Sequence, residues 1–169
     1  MDFKILYLIQ NIRTPLLDKL MVAITSIPGN MGELWIILGL VLLLFKKTRK
    51  CGFVVCFSYL LVFGMGQYVL KDLIARSRPC HIDQTVELLI NRPSSYSCPS
   101  THSGWAFAGA TSIFLYNKKL GIITYIFSSL IAFSRLYLFV HFPSDVVLGI
   151  ILGITFAILT KYIVTKLTK

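Results

Sequence analysis

Charge is scarce in this chain: 14% of its 169 residues are Asp, Glu, Lys or Arg, and only seven are acidic. That excludes an ordinary soluble domain, in which about a quarter of the residues are charged. Cysteine is sparse as well, four in all, and no paired CxxC spacing marks a zinc site. What is present instead is apolar. A hydrophobic content of 56% and a mean hydropathy of +0.75 indicate an integral membrane protein.

The uncharged run 51–70 has the length of about 20 residues that a helix needs to cross a bilayer core. Further spans are expected at 31–45, 101–116, 120–134 and 142–163. The fold class read from this pattern is all-α, a multi-pass transmembrane bundle of about five spans in a single domain. The first 27 residues read differently, because Arg13, Pro15, Asp18 and Lys19 interrupt them. Ile5, Leu8, Ile9 and Ile12 fit one helical face, and Leu16, Leu17, Leu20, Met21, Ile24 and Ile27 fit another. Residues 1–28 are therefore expected to form amphipathic helices at the membrane interface; the rival is an extra tilted span, which would reverse the side of the N-terminus. No small-residue cleavage site follows the first apolar residues, so no signal peptide is read.

With five spans, "KKTRK" at 46–50 contributes four basic residues to one side, "NKK" at 117–119 two and the tail from Lys161 three, with no acidic residue among them. All seven acidic residues fall at the other side. The positive-inside rule makes the first side cytoplasmic. The outer loop at 72–99 and the stretch 135–145 then meet at the extracytoplasmic face of the cell membrane. A net charge of +10 is explained by this topology, and no basic stripe with interleaved aromatics suggests nucleic acid.

Three stretches carry chemistry. In "KDLIARSRP", Lys71 and Arg78 are spaced to share one helical face, with the helix ending at Arg78 before Pro79. Arg76 in the same stretch reads as a cation snorkelling to lipid headgroups. In "CPSTHSGWAFAGA", Ser100 or Thr101 caps a helix whose free N–H groups form an anion site, with His102 in the first turn. Alone, such a trio reads as a cap beside an interfacial histidine. In "SRLYLFVHFPSD", Asp145 follows His141 by four residues, a spacing that lets the carboxylate fix the imidazole tautomer and leaves the other nitrogen as a nucleophile. Arg135 offers a planar fork for phosphate oxygens. The bland alternative is an Arg–Asp pair with a spectator histidine. Three cations, two histidines, one carboxylate and a helix N-terminus on one side of a membrane match the needs of phosphoryl transfer without a metal.

The order Lys-x6-Arg-Pro, Pro-Ser-x-His and Ser-Arg-x5-His-x3-Asp, here 71–79, 99–102 and 134–145, resembles the three-part signature of the type-2 phosphatidic acid phosphatase superfamily. The resemblance implies a helical, metal-independent membrane phosphatase with a phosphohistidine intermediate and no cofactor. By that resemblance His141 is the nucleophile, Asp145 its orienting partner and His102 the acid for the leaving group. Lys71, Arg78, Arg135, Ser100 and the backbone at Thr101 bind phosphate. Thr101 stands where the family usually has Gly, and five spans stand where members often have six.

The substrate implied is a lipid phosphate or diphosphate at the outer leaflet, of the undecaprenyl diphosphate, phosphatidylglycerol phosphate, phosphatidic acid or lipid A phosphate type. The competing reading is a non-catalytic protein that binds or transports anionic lipid, which would need the cations but not the His141–Asp145 pair. A metal site built on His102, His141 and Asp145 is disfavoured by the surrounding cations. Two features stay open on sequence alone. Cys80 and Cys98 flank the outer loop, where an oxidising compartment permits a disulfide. "GIILG" at 149–153 permits close helix approach, inside the chain or between two copies.

Overall fold

The computed structural model describes residues 2–29 and 31–167, and among these it is helical with no strand. Helices α1 (Asp2–Gln10) and α2 (Pro15–Ser26) precede α3 (Glu33–Leu43) and α4 (Arg49–Leu61). The last of these runs without a break through a π-helical stretch (Val62–Leu70) into the short α5 (Lys71–Ile74). After the single turn α6 (Pro79–Ile82) a long loop leads to α7 (Thr101–Phe114), α8 (Lys118–Tyr137) and α9 (Pro143–Leu167).

The helix starts follow from local chemistry. Thr14 Oγ1 accepts the N–H of Leu17 at 3.3 Å, with Pro15 supplying a first turn that needs no donor. Ser100 caps α7 by accepting the N–H of Ser103, Asn117 caps α8 by accepting that of Leu120, and Pro143 opens α9. At the end of α5, Ala75 turns left-handed with φ 47° and donates its N–H to Lys71 O. The helix therefore stops at Ile74, four residues before the end expected from the sequence. Arg78 is extended, as the residue before Pro79 must be. Lys71 and Arg78 meet through this chain reversal and not along a shared helix face.

Helix α7 is the axis of the molecule. It packs against α3, α4, the π-helical stretch, α8 and α9, and every residue from Ser103 to Ile113 is buried. Its small residues allow that enclosure. The closest backbone approach is at the α7–α9 seam, where a Cβ on Gly149 would lie 2.2 Å from Ser100 O and one on Gly153 2.3 Å from Gly104 O. The "GIILG" motif is thus used inside the chain, to press the start of α9 onto the start of α7. The outward faces of α8 and α9 are apolar, with Ile122, Ile123, Ile126, Val147, Ile151 and Ile158 exposed. Among the described residues, three helical stretches are long and apolar enough to cross a membrane: Arg49–Ile82, Lys118–Tyr137 and Pro143–Leu167, beside the shorter apolar Glu33–Leu43.

The N-terminal helices lie against the end of the bundle where α5, α6 and the α8–α9 turn gather. Leu6 of α1 is fully buried with Cys80, Leu138, Phe139, Val140 and Phe142, each such side chain contributing about 1.5–3 kcal/mol. Ile5, Leu8 and Ile12, read from the sequence as part of one apolar helical face, are exposed on the protein surface. From α2, Met21 and Ile24 join Trp35 and Trp105 in the main core, while Leu16, Leu20 and Ile27 are exposed. Both helices therefore present apolar residues on two sides. All four cysteines are free, so the Cys80–Cys98 disulfide is not formed.

Candidate active site

Five of the ionisable residues singled out in the sequence come from five helix ends and meet at one cavity of about 650 Å³. Lys71 opens α5, Arg78 precedes α6, Arg135 sits near the end of α8, His102 lies in the first turn of α7, and His141 precedes α9. All five line the cavity, together with Thr101, Trp105, Gln67 and Thr25. Lys71, Arg78, Arg135 and His141 are each 5% exposed or less, which rules out snorkelling. Such burial of cations is costly and needs dedicated partners.

Those partners are neutral. Arg78 donates from Nε to Ser95 O (2.7 Å), from Nη2 to Ser95 Oγ (3.0 Å) and Tyr96 O (3.2 Å), and from Nη1 to Val140 O (2.9 Å). Lys71 Nζ donates to the same Ser95 hydroxyl at 3.2 Å, and Arg135 Nη1 to Thr25 Oγ1 at 2.6 Å. Arg135 Nε has no hydrogen-bond partner among the described residues. Among the described residues no carboxylate forms an ion pair with any of the three cations. Hydroxyls and carbonyls position the donors without neutralising them, which suits an incoming anion.

Arg78 Nη1 also lies 3.1 Å from His141 Nε2. Because a guanidinium only donates, Nε2 must be the unprotonated nitrogen, with its lone pair toward the cations and the proton on Nδ1. Burial first, and then the charges of Arg78 and Arg135, hold this imidazole below the ordinary histidine value against the pull of Asp145. A neutral imidazole with a directed lone pair is a competent nucleophile. His102 is half-buried, its ring 5.4 Å from that of Trp105 between centroids.

Asp145 is wholly buried behind His141. Its Oδ2 is 3.7 Å from His141 Nδ1, beyond hydrogen-bond reach, and Nδ1 has no other partner among the described residues. The direct contact expected from the i,i+4 spacing is thus open by a few tenths of an ångström. Oδ2 instead accepts from the Ser97 hydroxyl and from Phe142 N (2.8 Å), while Oδ1 accepts from Arg76 Nη1 at 2.7 Å. Arg76, expected to snorkel, is therefore engaged inside the protein. Ser100 is spent on the helix cap, its Oγ 2.9 Å from that of Ser103, and it does not line the cavity. Thr101 fits because Gly66 faces it: a Cβ there would come within 3.3 Å of the Thr101 methyl. Thr101 Oγ1 donates to Gln67 Oε1 at 3.4 Å. The Cys98 thiol, raised to about 11 mainly by burial, stays protonated.

Sequence reasoning missed Ser95, Ser97, Thr25, Gln67 and Arg76. The serine-rich "PSSYSCPS" beside the second motif was the available signal for the first two. Thr25 and Gln67 carried none, since each reaches the site from a helix whose sequence reads as apolar.

The family model described as PAP2 superfamily matches residues 50–169. The chain belongs to the PAP2 superfamily. Among PAP2 relatives, undecaprenyl-diphosphatase of Sulfolobus acidocaldarius is 36% identical over 120 residues, covering 70% of this chain and 58% of that one. Phosphatidylglycerophosphatase B of Bacillus subtilis is 32% identical over 166 residues, covering 89% of this chain and 76% of that one. Against the Sulfolobus protein the chain thus spans under two thirds of the relative's length. The crystal structure of a PAP2-type phosphatidylglycerolphosphate phosphatase from Bacillus subtilis superposes with a TM-score of 0.76 and 30% identity, over 98% of this chain and 85% of that one. All the residues assigned from the three motifs fall inside the PAP2 match; α1, α2 and α3 precede it.

Proposed function

We propose that this protein is a metal-independent membrane lipid phosphatase, acting on a lipid phosphate or diphosphate at the extracytoplasmic face through a phosphohistidine. The observation that carries this reading is that three buried cations without a carboxylate partner share one cavity with two imidazoles. In this reading α3, α4 with its continuation, α7, α8 and α9 are the five spans, the cavity lies at the outer boundary, and α1 and α2 lie at the interface over it. The basic loops at the far end supply the orientation.

Lys71, Arg78 and Arg135 hold the phosphoryl oxygens, with the first backbone N–H groups of α7 at Thr101 adding donors. His141 Nε2 attacks phosphorus in line as the bond to the lipid oxygen breaks, and His102 gives that oxygen its proton. Asp145 stabilises the cationic phosphoimidazole. Water then attacks phosphorus, His102 takes its proton, and the P–N bond breaks to release phosphate and restore neutral His141. The relatives named as undecaprenyl-diphosphatase, phosphatidylglycerophosphatase B and lipid A 4'-phosphatase frame the substrates to offer.

The test is phosphate release by the purified protein in detergent from undecaprenyl diphosphate, phosphatidylglycerol phosphate, phosphatidic acid and a lipid A phosphate, in EDTA. Turnover of at least one lipid, lost on the order of 10³-fold or more in His141→Ala, is the expected result. A wild-type protein inert toward every lipid would leave the alternative of a binder of anionic lipid. Full activity in His141→Ala would refute the mechanism.

A further inference from the structure

A second cavity of about 560 Å³ is lined by Asp2, Phe3, Arg76, Ser77, Ile82 and Phe142. Arg76, which lines this cavity, reaches Asp145, and Asp145 stands beside the His141 that lines the first. We propose that Arg76 is a positioning residue of the phosphatase site, a fork that aims the Asp145 carboxylate at the His141 ring and is itself held by Asp2 of α1. This inference rests on the function proposed above.

The brace is built twice from one residue. Through its side chain, Arg76 Nη1 meets Asp145 Oδ1 at 2.7 Å. Through its backbone, Arg76 O accepts the N–H of Ser97 at 2.8 Å, and the Ser97 hydroxyl donates to the other carboxylate oxygen. The guanidinium has further anchors that fix its plane. Nη2 pairs with Asp2 Oδ2 at 2.9 Å, Nη1 donates to Ser144 Oγ at 2.6 Å, and the central carbon lies 4.0 Å over the Phe142 ring. Ser144 in turn donates to Asp2 Oδ2 at 2.6 Å. A hydrogen bond from Ser144, joined by Arg76, holds the Asp2 carboxyl below the usual carboxylate range, so it stays charged at neutral pH.

The geometry explains why aim matters here. The gap from Asp145 Oδ2 to His141 Nδ1 is 3.7 Å, so a small carboxylate rotation decides whether that contact closes as the imidazole gains positive charge. Without Arg76, Oδ1 would lose its ion-pair partner, and the carboxylate would be free to turn from the ring. A planar fork that spans Asp2 and Asp145 is a task for arginine and not for a lysine point charge. Arg76 does not line the catalytic cavity, so its influence passes through Asp145.

The experiment compares Arg76→Ala, Arg76→Lys and Asp2→Asn with wild type by kcat and KM, beside thermal midpoints in detergent. Arg76→Ala should lower kcat by about 10²-fold with KM little changed, because a positioning error acts on the chemical step. Arg76→Lys should fall between the two, and Asp2→Asn should lose only a few-fold. Methylguanidinium at low millimolar concentration should restore part of the kcat of Arg76→Ala through the second cavity, while urea at equal concentration should not. ¹⁵N spectra of His141 supply a readout independent of turnover: the Nδ1–H tautomer should dominate in wild type and become mixed in Arg76→Ala. Wild-type kcat and an unchanged His141 tautomer in a folded Arg76→Ala would overturn the assignment. A wild type without phosphatase activity would overturn the proposed function instead, and the tautomer would still test Arg76.

Discussion

The two ends of this helix bundle carry the same residue types and treat them oppositely. At one end Lys46, Lys47, Arg49, Lys50, Lys118, Lys119 and Lys166 are exposed. At the other, Lys71, Arg78 and Arg135 are buried among hydroxyls and carbonyls with no carboxylate in an ion pair among the described residues. An exposed cation costs little, whereas a buried one forfeits several kcal/mol of solvation. Identical side chains therefore carry different proposals: the exposed set is proposed to orient the chain in a membrane, and the buried set to receive an anion. The difference is made by packing, since the α7–α9 glycine seam and the α1 and α2 helices close over one end only.

The contrast is most easily broken at Arg78. Its five hydrogen-bond contacts hold the loop at Ser95 and Tyr96, the carbonyl of Val140 and Nε2 of His141, the proposed nucleophile. Arg78→Met should lower phosphate release by about 10²–10³-fold, the scale of losing one donor to developing charge. Lys118→Met at the far end should leave release and stability within about 0.5 kcal/mol of wild type. Equal losses from the two variants would erase the distinction between the ends.

Closure can be tested next, through Gly149. A methyl group there would meet Ser100 O and push α9 off the start of α7, where the backbone proposed to face phosphate lies. Gly149→Ala should destabilise by about 1–3 kcal/mol in thermal unfolding and depress kcat, because Asp145 and the α7 N-terminus share this seam. The smallest effect is expected at Ala75, whose left-handed conformation costs a residue with a Cβ about 1 kcal/mol. Ala75→Gly should raise the thermal midpoint slightly and leave turnover unchanged, sharpening the view that the reversal after α5 is a scaffold for Arg78.

Much of this was legible beforehand, for identifiable reasons. Ser100 and Pro143 announce helix starts because their chemistry is local, and the long apolar runs placed the ends of α8 and α9 to within four residues. His141 and Asp145 could be paired because four residues separate them. Arg76 could not be read, because its partners Asp2 and Asp145 are 74 and 69 residues away and nothing local distinguishes it from a snorkelling cation. The end of α5 was misplaced because alanine gives no sign that it will adopt a left-handed cap. Thr25 joined the site only through the folding of α2 against α8.

The central claim is that His141 Nε2 takes the phosphoryl group from a lipid held by the buried cations. Rapid acid-free quenching of the protein with ³²P-labelled lipid substrate, followed by peptide mapping, measures this step directly. The account requires an acid-labile, base-stable label on His141 that is absent in His141→Ala. Label on another residue, or turnover with ¹⁸O from water entering phosphate in His141→Ala at the wild-type rate, would contradict it.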